Sequence, residues 1–287
     1  MSQGKKLKEL LACKKIIVAP GAYDALTAKM IEGAGFEAVY MTGFGTAASM
    51  LGLPDIGLLT MSEMLQNVRA IAGAVDIPLI ADADTGYGNP VNVIRTVREY
   101  EKAGAAALHI EDQIWPKRCG HMTGKQLIPK EEMTSKLRAA VDARSTDDFL
   151  IIVRTDALAV EGWDATVERA NAYVETGVDV LFVEAPETEE QMELIPKLFP
   201  VPCLINMAPR TPALPVERLE EMGFAVAIFP AVCLAATIQA NIDALKQLKE
   251  IGRPAAFGDI LAAFMQFNQF IGVPRYSELE EKYKADI

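Results

Sequence analysis

Cysteine, histidine and aromatic residues are scarce in this chain. Four cysteines and two histidines occur among 287 residues, and aromatic side chains make up 7%. The positions Cys13, Cys119, Cys203 and Cys233 fit neither a disulfide framework nor a zinc ribbon. Cys203 and Cys233 stand in apolar runs, which is typical of small buried side chains. Of the four thiols, Cys119 alone has a neighbourhood that indicates chemistry.

Positive charge is also in short supply. The formal net charge is −11, which argues against a nucleic-acid partner and against binding to an anionic membrane surface. Residues 1–15 are polar and lysine-rich rather than an apolar leader, and no apolar run has the length of a membrane span. We therefore expect a cytoplasmic protein. An anionic substrate would need local positive charge from a metal ion or converging arginines.

Short apolar runs, by contrast, are abundant. Four times an amphipathic segment ends in glycine and a run rich in small and β-branched residues follows, at 38–41, 106–110, 180–183 and 225–228. Four more candidate strands are 16–18, 78–81, 149–153 and 203–205. Eight strands that alternate with helices predict an α/β fold, a TIM (β/α)8 barrel. An open doubly wound sheet is the alternative, but no Gly-x-Gly-x-x-Gly turn follows the first strand.

The C-terminal part of the chain lacks strands. We expect one barrel domain over residues 1–287, in which 234–287 is a helical extension with one helix at 234–251 and at least one more beyond 255. The extension carries Phe257, Phe264, Phe267 and Phe270. These rings either pack on the barrel's own outer helices or form an oligomer contact, and the sequence favours neither.

Carboxylates cluster where strands of the predicted barrel end, at the face where such barrels hold their active sites. Asp82 and Asp84 follow the third strand, Glu111 ends the fourth, and Asp55 lies in the loop after the second. Several carboxylates in one cleft are costly unless a cation compensates them. We therefore favour a Mg²⁺ site, partly through water, over helix-capping roles for these residues.

A short loop after the fourth strand combines cations, a thiol and an imidazole, in the order Lys117, Arg118, Cys119, Gly120 and His121. A thiol in such company can have a lowered pKa and can act as proton donor or nucleophile. His121 could orient the substrate or bind its carboxylate. Lys117 and Arg118 either supply positive potential beside the thiol, which we favour, or are solvated loop charges.

Arg154 follows an apolar strand, a costly position unless the guanidinium meets an anion. The guanidinium binds a substrate carboxylate, forms a structural ion pair with Glu184 on the next strand, or does both. His109, inside the fourth strand, is interpreted as a satisfied core residue. Backbone N–H groups of Gly43 and Phe44 could bind an oxyanion. Other polar residues that end strands are Tyr40, Thr42 and Asn206.

Several motifs together resemble the isocitrate lyase/phosphoenolpyruvate mutase superfamily, and particularly its methylisocitrate lyase branch. The most specific is Lys-Arg-Cys-Gly-His at 117–121 after Glu-Asp-Gln. The other matching segments lie at 19–25, 51–55, 81–88 and 153–157. The resemblance covers nearly the whole chain. It implies a barrel, a Mg²⁺ ion for which Mn²⁺ could substitute, and cleavage of a C–C or P–C bond in a small 2-oxo or 2-hydroxy acid.

Roles for individual residues follow from the resemblance. Asp82 would bind Mg²⁺ directly, while Asp55, Asp84 and Glu111 would hold its waters. Cys119 would protonate the departing carbanion, and Tyr40 is one candidate base. The resemblance also implies a homotetramer, a dimer of dimers, in which a C-terminal helix is exchanged between subunits. The residues that would bind substrate are Tyr40, Thr42, Gly43, Phe44, Arg118, Gly120, His121, Arg154, Glu184 and Asn206.

Two departures from the methylisocitrate lyase pattern bear on the substrate. The run after Asn206 is Met-Ala-Pro-Arg-Thr-Pro, and Phe44 stands where those enzymes have glycine. The first feature resembles relatives that act on smaller diacids, and the second would narrow the pocket. We expect a lyase that cleaves a 2-methylisocitrate-type or 2,3-dimethylmalate-type acid to pyruvate and succinate or propionate. An oxaloacetate hydrolase and a phosphoenolpyruvate mutase are the alternatives, and a barrel without catalytic activity is a remote one.

Overall fold

The computed structural model describes residues 1–252 and 260–285. Eight strands lie in this part of the chain: β1 (Ile17–Ala22), β2 (Val39–Met41), β3 (Leu79–Asp82), β4 (Ala107–Glu111), β5 (Leu150–Thr155), β6 (Val180–Val183), β7 (Cys203–Asn206) and β8 (Val226–Phe229). Its helices are α1 (Gln3–Ala12), α2 (Ala25–Gly33), α3 (Gly43–Leu51), α4 (Met61–Ala72), α5 (Pro90–Lys102), α6 (Lys130–Ala143), α7 (Leu158–Glu161), α8 (Trp163–Val174), α9 (Glu189–Leu198), α10 (Val216–Met222), α11 (Val232–Ile251), α12 (Ile260–Ile271) and α13 (Val273–Lys282).

The eight strands form a closed parallel barrel in sequence order, with β1 paired to β8. The predicted TIM barrel is therefore confirmed. Glycines at the ends of the recurring helical segments, such as Gly104 and Gly177, have φ near +90°, the left-handed conformation that ends a helix. Burial on both faces accounts for the apolar strands, because side chains alternate between the barrel interior and the layer beneath the helices.

The first strand is longer than the sequence indicated. The prediction ended it at Val18, and we interpreted Gly21 from the sequence as part of a turn into the next helix, whereas β1 continues to Ala22. The physical reason is the close approach of Pro230, whose backbone would collide with any Cβ at position 21. Gly21 serves this contact rather than a turn, so the strand reaches the mouth of the barrel.

Register places the polar residues at one end of the barrel. Asp82 at the end of β3 is level with His109 in β4, and Glu111 at the end of β4 is level with Arg154 in β5. Because parallel strands share a direction, these side chains and those that follow each strand meet at the carboxyl end.

The chain divides into two compact units, Met1–Leu234 and Ala235–Ile287. The first contains the barrel. The second contains most of α11 together with α12 and α13, and its described residues include exposed Phe264, Phe267 and Phe270. Phe257, the first ring of the predicted aromatic stripe, lies outside the described residues. None of the described helices has the length and apolar character needed to cross a membrane.

Candidate active site

A cavity of about 240 Å³ opens at the carboxyl end of the barrel. Most of the predicted site residues line it: Tyr40, Thr42, Phe44, Asp55, Asp82, Cys119, Gly120, His121, Arg154 and Asn206. The remaining wall is formed by Met122, Ala208, Pro209, Pro230 and Ala231. Residues distant in sequence are therefore brought together, as the strand-end argument predicts.

Asp82 is fixed by backbone amides from two loops. Its Oδ2 accepts a hydrogen bond from Gly43 N at 3.2 Å, and its Oδ1 accepts one from Asp84 N at 2.9 Å. Asp84 has φ +47°, a conformation that side chains rarely adopt and that turns its own carboxylate back into the cluster. Gly43 N, considered from the sequence as an oxyanion donor, already binds Asp82.

Lys117 lies inside the carboxylate cluster rather than on the loop surface. Its Nζ is 2.7 Å from Asp55 Oδ1 and 2.7 Å from Asp84 Oδ1. Only 2% of the side chain is exposed. The interpretation of Lys117 as a source of potential beside Cys119 is therefore replaced by a direct role, the neutralisation of two buried carboxylates.

Negative charge nevertheless remains uncompensated near Asp82. Burial raises the pKa of Glu111 well above its ordinary value, and Glu111 Oε1 has no hydrogen-bond partner within residues 1–252 and 260–285. Burial also raises the pKa of Asp84 to about 6, in spite of Lys117. Carboxylates that the protein's own cations leave unsatisfied fit a divalent cation with oxygen ligands.

The arrangement of these groups indicates how such a cation would be held. Among residues 1–252 and 260–285, no three His, Cys, Asp or Glu side chains stand close enough to bind one ion together. Mg²⁺ commonly keeps several waters and takes one or two carboxylates. Asp82 as the direct ligand, with Asp55, Asp84 and Glu111 reached through water, is compatible with this spacing.

Arg154 is held by three carboxylates. Its Nε and Nη2 bind Asp156 Oδ2 and Oδ1 at 3.0 and 3.1 Å, and its Nη1 lies 3.2 Å from Glu111 Oε2. Glu184 Oε2 is 3.5 Å from Nε, so the structural ion pair considered from the sequence is present. Arg154 still lines the cavity and can therefore also face a bound anion.

His121 and Asn206 lie above Glu184. His121 Nε2 is 2.8 Å from Glu184 Oε1, while its Nδ1 accepts a hydrogen bond from Arg210 N at 3.3 Å. An accepting Nδ1 places the proton of the neutral ring on Nε2, so His121 donates to Glu184. Asn206 donates to both oxygens of Glu184, and its Oδ1 has no hydrogen-bond partner among the residues that the structure describes. The site therefore offers a free acceptor beside an imidazole.

Cys119 differs from the expectation of a lowered pKa. Burial raises the pKa of the thiol, and the backbone amide of His121 opposes this only in part. The flanking cations do not reverse the effect, because Lys117 pairs with Asp55 and Asp84. A thiol with a raised pKa keeps its proton near neutral pH, which suits an acid rather than a nucleophile.

Three predicted substrate-binding residues, Gly43, Arg118 and Glu184, are not among the residues that line the cavity, and Arg118 points away from it. Its side chain is exposed and faces Gly124 and Lys125 in a separate surface pocket. The main chain explains this orientation, because Gln113 binds both the N–H and the C=O of Arg118, at 3.0 and 2.8 Å. The Cys119 loop is thus tied down at Arg118 with the guanidinium pointing away.

His109 has a larger role than the sequence suggested. It is fully buried, and its Nε2 lies 2.9 Å from the hydroxyl of Tyr40 and 3.6 Å from Asp82 Oδ1. Burial lowers the pKa of His109 and raises that of Tyr40, which favours the neutral form of both side chains near neutral pH. Its position level with Asp82 was the available signal, because every other residue of β4 except Glu111 is apolar.

Two further residues were not identified from the sequence. Asp156, which orients Arg154, also binds Lys125 Nζ at 2.7 Å. Lys125 in turn donates to the carbonyl of Gly120, which fixes the Cys119 loop. The sequence offered a signal for Asp156, two residues after Arg154 at the end of β5, but none for Lys125 in an irregular loop.

Comparison with known proteins agrees with this architecture. The family described as "Phosphoenolpyruvate phosphomutase" matches residues 7–249. The 2,3-dimethylmalate lyase of Eubacterium barkeri is 48% identical over 285 residues, 99% of each chain. The 2-methylisocitrate lyase of Aeropyrum pernix is 42% identical over 286 residues, 99% of this chain and 91% of that protein. The chain therefore belongs to the phosphoenolpyruvate mutase/isocitrate lyase superfamily, as its motifs predicted.

Solved structures extend the similarity. A 2,3-dimethylmalate lyase superposes with a TM-score of 0.94 at 37% identity, covering 99% of this chain and 96% of that one. Oxaloacetate acetylhydrolase in complex with 3,3-difluorooxalacetate has a TM-score of 0.93 at 37% identity, covering 98% of this chain and 97% of that one. Phosphonopyruvate hydrolase in complex with oxalate and Mg²⁺ has a TM-score of 0.89 at 31% identity, covering 99% of this chain and 100% of that one. The similarity to named lyases confirms the prediction of a lyase-type enzyme.

Proposed function

We propose that this protein is a Mg²⁺-dependent carbon–carbon lyase that cleaves a 2-hydroxy dicarboxylate of the 2,3-dimethylmalate type to pyruvate and propionate. The observation that carries the proposal is the position of Cys119, a thiol with a raised pKa in the same cavity as Asp82 and Arg154. Under this proposal Cys119 donates the proton, Asp82 binds the cation and Arg154 binds the substrate, and the support is that all three residues line the same cavity.

The chemistry assigns a task to each group. When bound, the cation would stabilise negative charge on the substrate oxygens. The 2-hydroxyl proton leaves to a base, for which the hydrogen-bonded pair of Tyr40 and His109 is the candidate. The C2–C3 bond breaks, C2 becomes the ketone of pyruvate, and the electron pair remains on C3. Cys119 gives its proton to C3, which completes propionate.

The cavity wall favours a dicarboxylate over a tricarboxylate. Among its described lining residues Arg154 is the one lysine or arginine. Phe44, Pro209 and Pro230 add apolar surface to the same lining. A methyl-substituted diacid meets these surfaces without burying a third, unpaired carboxylate. A tricarboxylate of the 2-methylisocitrate type, which would yield succinate, is therefore the less favoured substrate.

An oxaloacetate hydrolase that forms oxalate and acetate is the second candidate. Two observations favour it: the similarity to oxaloacetate acetylhydrolase and the small cavity. The same Asp82, Arg154 and Cys119 would face oxaloacetate. A phosphonomutase has less support, because that reaction protonates no carbanion and leaves Cys119 without a task.

One experiment separates these activities. The purified protein is incubated with Mg²⁺, or with Mn²⁺ as a substitute, and with 2,3-dimethylmalate, 2-methylisocitrate, oxaloacetate or phosphonopyruvate, and the products are identified by NMR. Equal amounts of pyruvate and propionate from 2,3-dimethylmalate support the lyase. Oxalate from oxaloacetate, with both hydroxy acids unchanged, assigns the hydrolase instead. No product from any of them contradicts both proposals.

We also propose that the protein is a homotetramer, a dimer of dimers with an exchanged C-terminal helix. Its proposed location is the cytoplasm. Support comes from apolar side chains exposed on the helical unit, among them Ile242, Leu245, Phe264 and Phe267. Such a surface on a soluble enzyme calls for a covering partner. Light scattering should give four times the mass of 31.2 kDa for one chain, and a monomer would contradict the assembly.

A further inference from the structure

A second and larger cavity lies outside the barrel mouth. It has a volume of about 720 Å³, against about 240 Å³ for the candidate active site. Loops after β3 and β4, the start of α4 and residues of α5 and α6 form its wall, and none of its lining residues lines the mouth cavity. Its volume is within the range of sites for small organic molecules.

Two cations in this wall form no ion pair with a carboxylate in the part of the chain that the structure describes. Lys136 on α6 is 4% exposed and directs its ammonium to one acceptor, the carbonyl of Thr85 at 3.1 Å. Arg95 on α5 is exposed and also lines the cavity. Within the described part of the chain neither forms an ion pair, and Glu132 is the one acidic residue in the lining.

The charge of this lining is opposite in sign to the net charge of the chain. The chain carries a net charge of −11, yet this lining has two cations and one anion. A nearly buried ammonium without an ion pair is costly, and burial lowers the pKa of Lys136, although the charge of Glu132 opposes this in part. A bound anion would form an ion pair with the ammonium of Lys136.

Another part of the lining is aromatic and apolar. Tyr87 and Trp115 pack edge to face with their ring centroids 6.1 Å apart, and Ile114 is exposed beside them. Indole and phenol rings at the border of a cavity commonly contact the apolar part of a ligand. The cationic part and the aromatic part of the lining together fit a molecule with a charged end and an apolar body.

We propose that this cavity is a second ligand site that binds an organic monocarboxylate with an apolar or aromatic body. The carboxylate pairs with Lys136 and Arg95, and the body lies against Trp115 and Tyr87. The site is separate from the reaction centre. Its existence does not depend on the activity proposed above.

Trp115 provides the measurement. The chain contains two tryptophans, so a Trp163→Phe background leaves Trp115 as the fluorescent reporter. In this background 3-phenylpropionate should change the emission with saturation, and the uncharged 3-phenylpropionamide should bind at least tenfold more weakly. Lys136→Met should raise the dissociation constant of the acid about tenfold, and Arg95→Met should raise it severalfold.

Controls make the result specific. Arg138→Met removes a cation from the exposed side of the same helix and should leave the dissociation constant unchanged, as should Cys119→Ala. Arg95→Met alters an exposed residue, so it tests the site even if Lys136→Met does not fold. Equal affinity of acid and amide, unchanged affinity in both Lys136→Met and Arg95→Met, or absence of saturable binding overturns the proposal.

Discussion

The ammonium of Lys117 lies 2.7 Å from a carboxylate oxygen of Asp84, and both side chains are buried. The same ammonium contacts Asp55. A loop cation next to Cys119 thus holds together two of the carboxylates that we assign to the waters of Mg²⁺. The loop that carries Cys119 and the proposed metal site are therefore joined by direct ion pairs.

Replacement of Lys117 by Met should make the protein depend on the metal for its stability. Two buried carboxylates lose their partner, which costs on the order of 3 kcal/mol in the metal-free protein. A divalent cation that binds near them offsets this loss, so Mg²⁺ should raise the melting temperature of the variant more than that of the unmodified protein. Differential scanning calorimetry with and without Mg²⁺ gives the comparison.

The control for this prediction is Lys102→Met, which removes an exposed lysine from α5. Its melting temperature should stay close to that of the unmodified protein under both conditions. An equal response of all three proteins to Mg²⁺ would contradict the placement of the cation beside Asp84.

Asp156 should contribute stability that disappears in acid. The charges of Arg154 and Lys125 outweigh the effect of burial and lower the pKa of Asp156 to about 2. A carboxylate with a lowered pKa stabilises the fold at pH above its ordinary value near 4, and this contribution is lost as the pH falls towards 2. Its size is about 2 kcal/mol.

Urea unfolding of the unmodified protein and of Asp156→Asn at several pH values measures this contribution. The difference in unfolding free energy should be constant between about pH 7 and pH 5 and should shrink below about pH 4. A difference that stays constant down to about pH 3 would show that the charge of Asp156 is not what stabilises Arg154.

Gly120→Ala should abolish turnover and weaken substrate binding. A Cβ at this position would collide with Arg154 Nη2 and would come within 2.8 Å of Glu184. Either the Cys119 loop or the guanidinium must shift, and a displacement of about 1 Å can cost on the order of a hundredfold in rate. Thr123→Ala, an exposed position on the same loop, should retain activity. Normal activity of Gly120→Ala would mean that the contact between loop and Arg154 is unimportant.

Tyr40→Phe should reduce kcat at least a hundredfold while KM changes little. The variant removes the hydroxyl that lies 2.9 Å from His109 and lines the cavity. A general base contributes roughly 10²–10⁴ in rate. Tyr276→Phe, which removes an exposed hydroxyl from α13, is the matched control. A kcat within threefold of the unmodified protein for Tyr40→Phe would exclude Tyr40 as base.

The regular elements of this fold were predictable, whereas the irregular ones were not. Apolar runs and helix-ending glycines specify the eight strands, and strand ends then bring Asp82, Glu111 and Arg154 together without further information. Lys117 and Arg118 are neighbours with opposite orientations, one buried and one exposed. The hydrogen bonds of Gln113 to the Arg118 backbone set this difference. Such long-range contacts leave no periodic signal in the sequence.

The misjudged pKa of Cys119 has the same origin. Neighbouring cations in the sequence suggested a lowered value, but a charge acts through space and through the partners it already has. Lys117 is paired with Asp55 and Asp84, Arg118 faces away, and burial dominates. The raised pKa of Cys119 agrees with the acid role that we propose for this residue, because the thiol keeps its proton near neutral pH.

Turnover of 2,3-dimethylmalate by the unmodified protein and by Cys119→Ala, followed by NMR with Mg²⁺ present, tests the central claim most directly. The account predicts pyruvate and propionate from the unmodified protein, and for Cys119→Ala a kcat lower by roughly 10²-fold or more. Substrate affinity should be nearly unchanged, because Arg154 and Asp82 remain in place. Full turnover by Cys119→Ala would contradict the assignment of the thiol as the acid.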